Sequence, residues 1–192
     1  LAASLDLVLD VNQQAILNDA LAIRPGPAED WNVVEHASIC ARQNHKTVAM
    51  EAIALAKLFV FDDRLVTWTA HKYKTTQEAF LDLQSLVTNY DHLRRRVKAV
   101  TAAKGDECIE LVSGSRMNFL ARTASGGRGM TGDTLFLDEA LKLQPAHMAA
   151  LVPMLSTRSR AQVLYASSAG ELTSDVLRTI RDRGRAGLEK RL

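Results

Sequence analysis

Val33-Val34-Glu35-His36-Ala37-Ser38-Ile39-Cys40-Ala41-Arg42-Gln43-Asn44-His45-Lys46-Thr47 is the stretch on which the reading of this chain turns. Residues 33–40 read as a buried strand. From Thr47 to Val60 the positions Met50, Ile53, Ala54, Lys57 and Leu58 recur at helical spacing. A strand that runs through a short loop into a helix presents free backbone amides and a partial positive charge at the helix start, and both suit phosphate. Lys46 would reach the β- and γ-phosphates, and Thr47 would place its hydroxyl on Mg²⁺. The glycines usual in such a loop are replaced by Cys40 and His45. Glycine at 45 would let the backbone approach phosphate with no β-carbon in the way. Taken alone, a helix that merely begins with a lysine has the same appearance.

About ninety residues later, Thr134-Leu135-Phe136-Leu137-Asp138-Glu139-Ala140 supplies a partner. An apolar, sheet-buried run ends in two carboxylates. In phosphoryl-transfer sites the first holds Mg²⁺ and the second polarises the attacking water. An apolar strand ending in a solvated acidic pair is the plainer alternative.

Between and around these stretches, strands and helices alternate. Helices are expected over Leu9–Leu21, Thr75–Val87 (capped by Thr75 or Thr76), Asp91–Ala103, Ala146–Leu155 and Ser174–Arg183. The last is capped by Ser174 and ended by Gly184. Strands are expected over Arg64–Thr69, Glu107–Val112, Arg116–Ala121 and Ala161–Ala166, with a tight turn at Ser113-Gly114-Ser115. Ser125 to Gly129 reads as a flexible loop. The alternation predicts an α/β fold, with a mainly parallel sheet covered on both faces and ligands at the carboxyl ends of its strands.

The bulk properties agree. The chain has 192 residues, 47% of them apolar and 24% charged, with a net charge of +2. That suits one globular domain with a sizeable core and does not by itself demand nucleic acid. No apolar run approaches the roughly 20 residues of a membrane span. Leu1 to Leu9 has no basic start, so no secretory signal is expected, and the missing initiator Met is consistent with a trimmed fragment. Cys40 and Cys108 have neither metal-ligand spacing nor a disulfide framework.

Arg42-Gln43-Asn44-x-Lys46-Thr47 resembles the variant Walker A loop of the large terminase subunits of tailed bacteriophages, where A-R-Q-N-G-K-[ST] is frequent. His45 is the departure. Thr134 to Ala140 resembles the Walker B strand of the terminase and helicase branch. The resemblance implies a P-loop NTPase fold of the ASCE type and identifies the chain as the N-terminal ATPase domain of a phage or prophage large terminase. ATP would lie on Gln13, Arg42, Gln43, Asn44, His45, Lys46, Thr47 and Ser168. Mg²⁺ would lie on Thr47 and Asp138, with Glu139, Arg42 and Arg128 as the catalytic set. Gln13 enters through Leu9-Asp10-Val11-Asn12-Gln13, which resembles the adenine-approaching segment L-x-x-W-Q with Asn12 in place of tryptophan. Arg128, among glycines, matches a trans-acting arginine finger. Ser167-Ser168-Ala169-Gly170 matches the motif that senses the γ-phosphate, and Thr69-Ala70-His71 fits the pattern after the second strand.

The same resemblance implies residues 1–170 as the ATPase core and 171–192 as the start of a lid or linker subdomain. The family's C-terminal nuclease domain, and its activity, are expected to be absent from this chain. Expected partners are double-stranded DNA, a portal protein, a small terminase subunit and a homo-oligomeric ring, pentameric in the family. The isolated domain is expected to be a monomer, away from membranes, in the host bacterial cytoplasm. Arg94-Arg95-Arg96 and the tail from Arg178 to Arg191 are candidate phosphate-backbone contacts or solvated helix faces. A related helicase or translocase, or an assembly scaffold disabled by His45, are the alternative functions.

Overall fold

The computed structural model describes residues 5–26, 30–41, 46–122, 132–151, 153, 158 and 160–189. The predicted residues Arg42, Gln43, Asn44, His45 and Arg128, and the loop from Ser125 to Gly129, lie outside them. The elements run α1 (Val11–Ala20), β1 (Glu35–Ile39), α2 (Lys46–Phe59), β2 (Leu65–Ala70), α3 (Tyr73–Asn89), α4 (Asp91–Arg94), β3 (Val97–Thr101), β4 (Cys108–Leu111), β5 (Arg116–Ala121), β6 (Thr134–Leu137), α5 (Pro145–Leu151), β7 (Gln162–Ser167) and α6 (Asp175–Glu189).

Seven strands form one sheet in the order β1-β7-β6-β2-β5-β4-β3. β1, β7, β6, β2 and β5 are mutually parallel. The hairpin of β4 and β5 and the pairing of β3 with β4 are antiparallel. Gly114 closes the hairpin at φ +87°, a left-handed backbone that glycine adopts without steric cost.

Side chains alternate across the central strands, and both faces are covered, as a parallel sheet requires. Phe136, Leu164, Ala166, Val66 and Trp68 pack with α1, α2 and α3. Trp68 stacks on Phe136 at 5.0 Å. Leu135, Leu137, Val163 and Tyr165 pack on the opposite face with Leu177 and Ile180 of α6. Helix α2 is buried on every side from Ala49 to Phe59, so it is a core helix rather than an amphipathic one.

Several expectations need correction. The predicted helix over Asp91–Ala103 is only the single turn of α4, after which Val97, Val100 and Thr101 extend into the edge strand β3. Pairing with β4 outweighs the helical look of a charged run. The strand at 35–39 lies at the sheet edge with Glu35 and Ala37 exposed, because only β7 pairs with it. α3 starts at Tyr73, with Lys72 at its cap position. Thr76 is already inside the helix and donates to the Lys72 carbonyl. α6 continues through Gly184 instead of ending there. Ser174 stands before α6, but its hydroxyl donates to the Leu141 carbonyl (2.8 Å) and accepts from the Glu171 amide (3.0 Å).

Candidate active site

The five parallel strands end on one edge, at Ile39, Ser167, Leu137, Ala70 and Ala121. The candidate site residues lie just beyond those ends, at the carboxyl edge where a parallel sheet binds its ligands. Asp138 and Glu139 follow β6, Arg122 follows β5, Ser168 follows β7, and the loop toward Lys46 follows β1.

Asp138 is 7% exposed. Its amide donates to the Thr69 carbonyl (2.9 Å), which continues the ladder with β2 for one residue. One carboxylate oxygen accepts the Glu139 amide at 2.7 Å. Burial pushes the carboxyl above the usual carboxylate range. The Glu139 amide and the Lys46 ammonium pull it back, the Glu139 carboxylate pushes it up again, and the Arg122 guanidinium favours ionisation. Lys46 at the start of α2 and Asp138 at the end of β6 both stand at the carboxyl edge of the sheet, and the Lys46 charge acts on Asp138.

Glu139 has φ 50° and ψ 46°, a left-handed conformation that costs a side-chain-bearing residue about 1–2 kcal/mol. It begins a 3-10 turn over Ala140–Lys142 that turns the chain sharply off the strand. Its Oε2 is buried and has no hydrogen-bond partner among the described residues. Beside the buried Asp138, this oxygen keeps an acceptor position that no described protein group uses.

Lys46 and Thr47 are the first two residues of α2 and are half-buried. The first four amides of a helix have no partner within it, so this end offers donors as well as the Lys46 charge. Ser168 is half-buried. Its neighbour Ser167 is the more deeply placed hydroxyl, accepting from the Leu141 amide (3.0 Å) and donating to the Ser168 carbonyl (2.7 Å). Ser167 thus ties the end of β7 to the turn after Glu139. Gln13 is 5% exposed and accepts the Asp10 amide at 2.9 Å, while Asp10 accepts from the amides of Asn12 and Gln13. That capping box is a structural use for Gln13. The arginine cluster is partly committed. Arg94 pairs with Asp91, while Arg96 donates to the Phe59 carbonyl and pairs with Asp62. On α6, Arg178, Arg181 and Arg183 pair with Asp175, Asp182 and Glu35.

Two residues at this edge went unread in the sequence. Arg122 is 7% exposed and grips the carbonyls of Thr69 in β2 and of Asp138 just past β6. His147 of α5 is also buried, and its Nδ1 accepts the Gln144 amide at 3.2 Å. Burial, then the charges of Arg122 and His71, hold the His147 imidazole below its ordinary pKa. A charged residue directly after an apolar strand was the available signal for Arg122, and nothing in the local pattern marked His147.

Among the described residues no three His, Cys, Asp or Glu side chains converge on a metal. A cation here would share its ligands with phosphate and water, as Mg²⁺ does. The Thr47 hydroxyl and the Asp138 carboxylate are the hard oxygen donors it prefers, so the residues present fit Mg²⁺ and a triphosphate. A groove of about 740 Å³ lies elsewhere, between β1 and α6 along Val33, Ala37, Ile39, Ile180 and Gly184. It contains neither carboxylate of the acidic pair, so the chemistry and not the volume locates the site.

No protein-family model matches the sequence, and no curated protein matches it. Solved structures do resemble the fold. The HK97 bacteriophage large terminase superposes with a TM-score of 0.69 at 18% identity, over 83% of this chain and 33% of that one. The large terminase ATPase domain of Thermus phage P74-26 gives 0.67 at 19%, over 90% and 69%. The large terminase of the thermophilic bacteriophage D6E, in complex with ATP-gamma-S, gives 0.61 at 13%, over 83% and 38%. The chain thus spans a third of the HK97 protein. At these identities the likeness is one of architecture: the chain has the α/β, P-loop NTPase-like fold of large terminase ATPase domains.

Proposed function

We propose that this chain is the ATP-hydrolysing motor domain of a phage DNA-packaging terminase. One observation carries the reading: a buried Asp138, on which the Lys46 charge acts, is followed by a Glu139 held in a strained backbone with a buried, unpartnered carboxylate oxygen. The fold likeness, which includes a relative in complex with ATP-gamma-S, supports it.

In this mechanism Lys46 and Arg42 bind the triphosphate, with the loop residues Gln43, Asn44 and His45 around it and Gln13 toward the base. Thr47 and Asp138 hold Mg²⁺, which supplies charge neutralisation at the phosphate oxygens when bound. Glu139 orients a water and takes its proton. Burial keeps competing solvent from Asp138. Arg128 acts on the nucleotide of a neighbouring subunit, and Ser168 relays loss of the γ-phosphate. Double-stranded DNA, a portal protein, a small terminase subunit and a ring of copies are the proposed partners, in the host bacterial cytoplasm. Residues beyond 170 would open a lid or linker region.

The test is steady-state phosphate release from ATP and Mg²⁺, with Glu139→Ala as the blank. Removing a water-activating base lowers rates by about 10²–10⁴-fold, so the native chain should exceed the blank at least tenfold. Equal rates would overturn the enzyme reading and favour a scaffold. A parallel binding titration of His45→Gly should show tighter ATP binding than the native chain. Binding by the glycine variant alone would mark the native loop as degenerate.

A further inference from the structure

Arg122 sits directly after β5, is 7% exposed, and is joined to β2 by its amide, which donates to the Ala70 carbonyl at 2.9 Å. Its guanidinium spans two other strand ends. Nη1 donates to the Thr69 carbonyl (3.2 Å), and Nη2 donates to the carbonyls of Asp138 (2.5 Å) and Glu139 (3.2 Å). Successive carbonyls of an extended strand point to opposite sides. Those of Asp138 and Glu139 reach one cation only because Glu139 is left-handed, at φ 50° and ψ 46°. The guanidinium rewards the conformation that sterics oppose. A planar fork with five donors can do this across three carbonyls, whereas an ammonium is a point charge.

We infer that Arg122 is a positioning residue that holds Glu139 in its left-handed backbone and so keeps the carboxylate free to orient water. The inference rests on the proposed hydrolysis. Lys142 donates to the Glu139 carbonyl at 3.0 Å, and the Glu139 amide donates to Asp138, so the exchange rates of these two amides report the backbone without any turnover.

The experiment compares native chain, Arg122→Lys and Arg122→Met by single-turnover hydrolysis, binding of a fluorescent ATP analogue, thermal unfolding and amide hydrogen exchange. Misplacing a reacting group by about 1 Å costs on the order of 10²-fold. Arg122→Lys should therefore lose at least tenfold in kcat, keep Kd within about twofold, unfold within a few degrees of native, and exchange the Glu139 and Lys142 amides faster. Native kcat in Arg122→Lys overturns the inference. So does a joint fall in kcat, affinity and unfolding temperature in both variants, which marks a merely structural arginine. If the native chain itself hydrolyses no faster than Glu139→Ala, the function reading fails on its own. The exchange arm then decides Arg122, with unchanged exchange overturning the inference and faster exchange supporting the backbone clamp.

Discussion

Glu51 shows how a single residue escapes a sequence pattern. It stands one helical turn after Thr47, in a position that periodicity leaves off the apolar face, yet it is 6% exposed because α2 is enclosed on all sides. Burial first, then the charges of Asp82 and Asp138, push its carboxyl up to about 8. The folded chain therefore keeps this proton between about 4.5 and 8, while the unfolded chain releases it near 4.5. The contribution to stability is complete below pH 4.5 and is lost as pH rises through 8. Glu51→Gln, an uncharged near-isostere, should be more stable than native at pH 8, on the order of 4 kcal/mol, with little difference at pH 4.5. Urea unfolding at the two pH values measures it, and an equal difference at both would count against a buried neutral carboxyl. Lys46, Thr47, Asp138 and Glu139 were legible as site candidates because each is announced locally, by a strand that ends or a helix that starts. Arg122 also follows a strand end, but its role is not local, because its acceptors at Thr69, Asp138 and Glu139 are distant in sequence and meet it only once three strands are side by side.

Elements are legible in the sequence where both of their ends carry a signal, and less so where a lone glycine or a run of charge is the signal. The tight turn at Gly114 and the strands β2, β6 and β7 lie where turn residues and apolar, β-branched or aromatic runs put them. The run from Asp91 to Ala103 failed because its charges sit on an edge strand, where one side faces solvent and period-two alternation is weak. Gly184 does not end α6, for a related reason. Glycine lowers helix propensity but does not forbid the interior of a helix, and α6 is anchored upstream by Leu177 and Ile180 against the sheet. A β-carbon added at Gly184 would meet nothing within 4 Å. Gly184→Ala should therefore stabilise the chain by about 0.5–1 kcal/mol, seen as a rise of a few degrees in thermal midpoint. An unchanged or lowered midpoint would mean that α6 is not continuous through this residue in solution.

The whole molecule places its candidate site on the carboxyl edge of the sheet and a buried charge cluster on the amino edge. Fold class was legible because strands and helices alternate, but strand order was not, since the placing of β1 beside β7 depends on pairings more than a hundred residues apart. The amino-edge cluster joins four segments. Lys57, 0% exposed, sets its ammonium 3.1 Å from the centre of the Trp31 ring. Trp31 donates to the Arg160 carbonyl at 2.9 Å. Asp63 accepts from the Thr134 hydroxyl at 2.5 Å, and its amide donates to the Lys57 carbonyl at 3.0 Å. The lysine nitrogen has no hydrogen-bond partner among the described residues. Burial lowers its pKa to about 7. Asp63 and Asp133 oppose that shift, and Arg160 adds to it. Burial moves Asp63 the other way, above the usual carboxylate range. For Lys57 the unfolded chain holds a proton up to about 10.5 that the folded chain gives up near 7, so folding becomes more favourable as pH rises between those values. The slope approaches about 1.4 kcal/mol per pH unit for one full proton. Guanidinium unfolding at pH 7.5, 8.5 and 9.5, followed by tryptophan fluorescence, should show native stability rising across the series, and Lys57→Met should remove most of that rise. Parallel slopes in the two proteins would show that the ammonium under Trp31 stays charged, and that the aromatic face and nearby carboxylates offset its burial throughout.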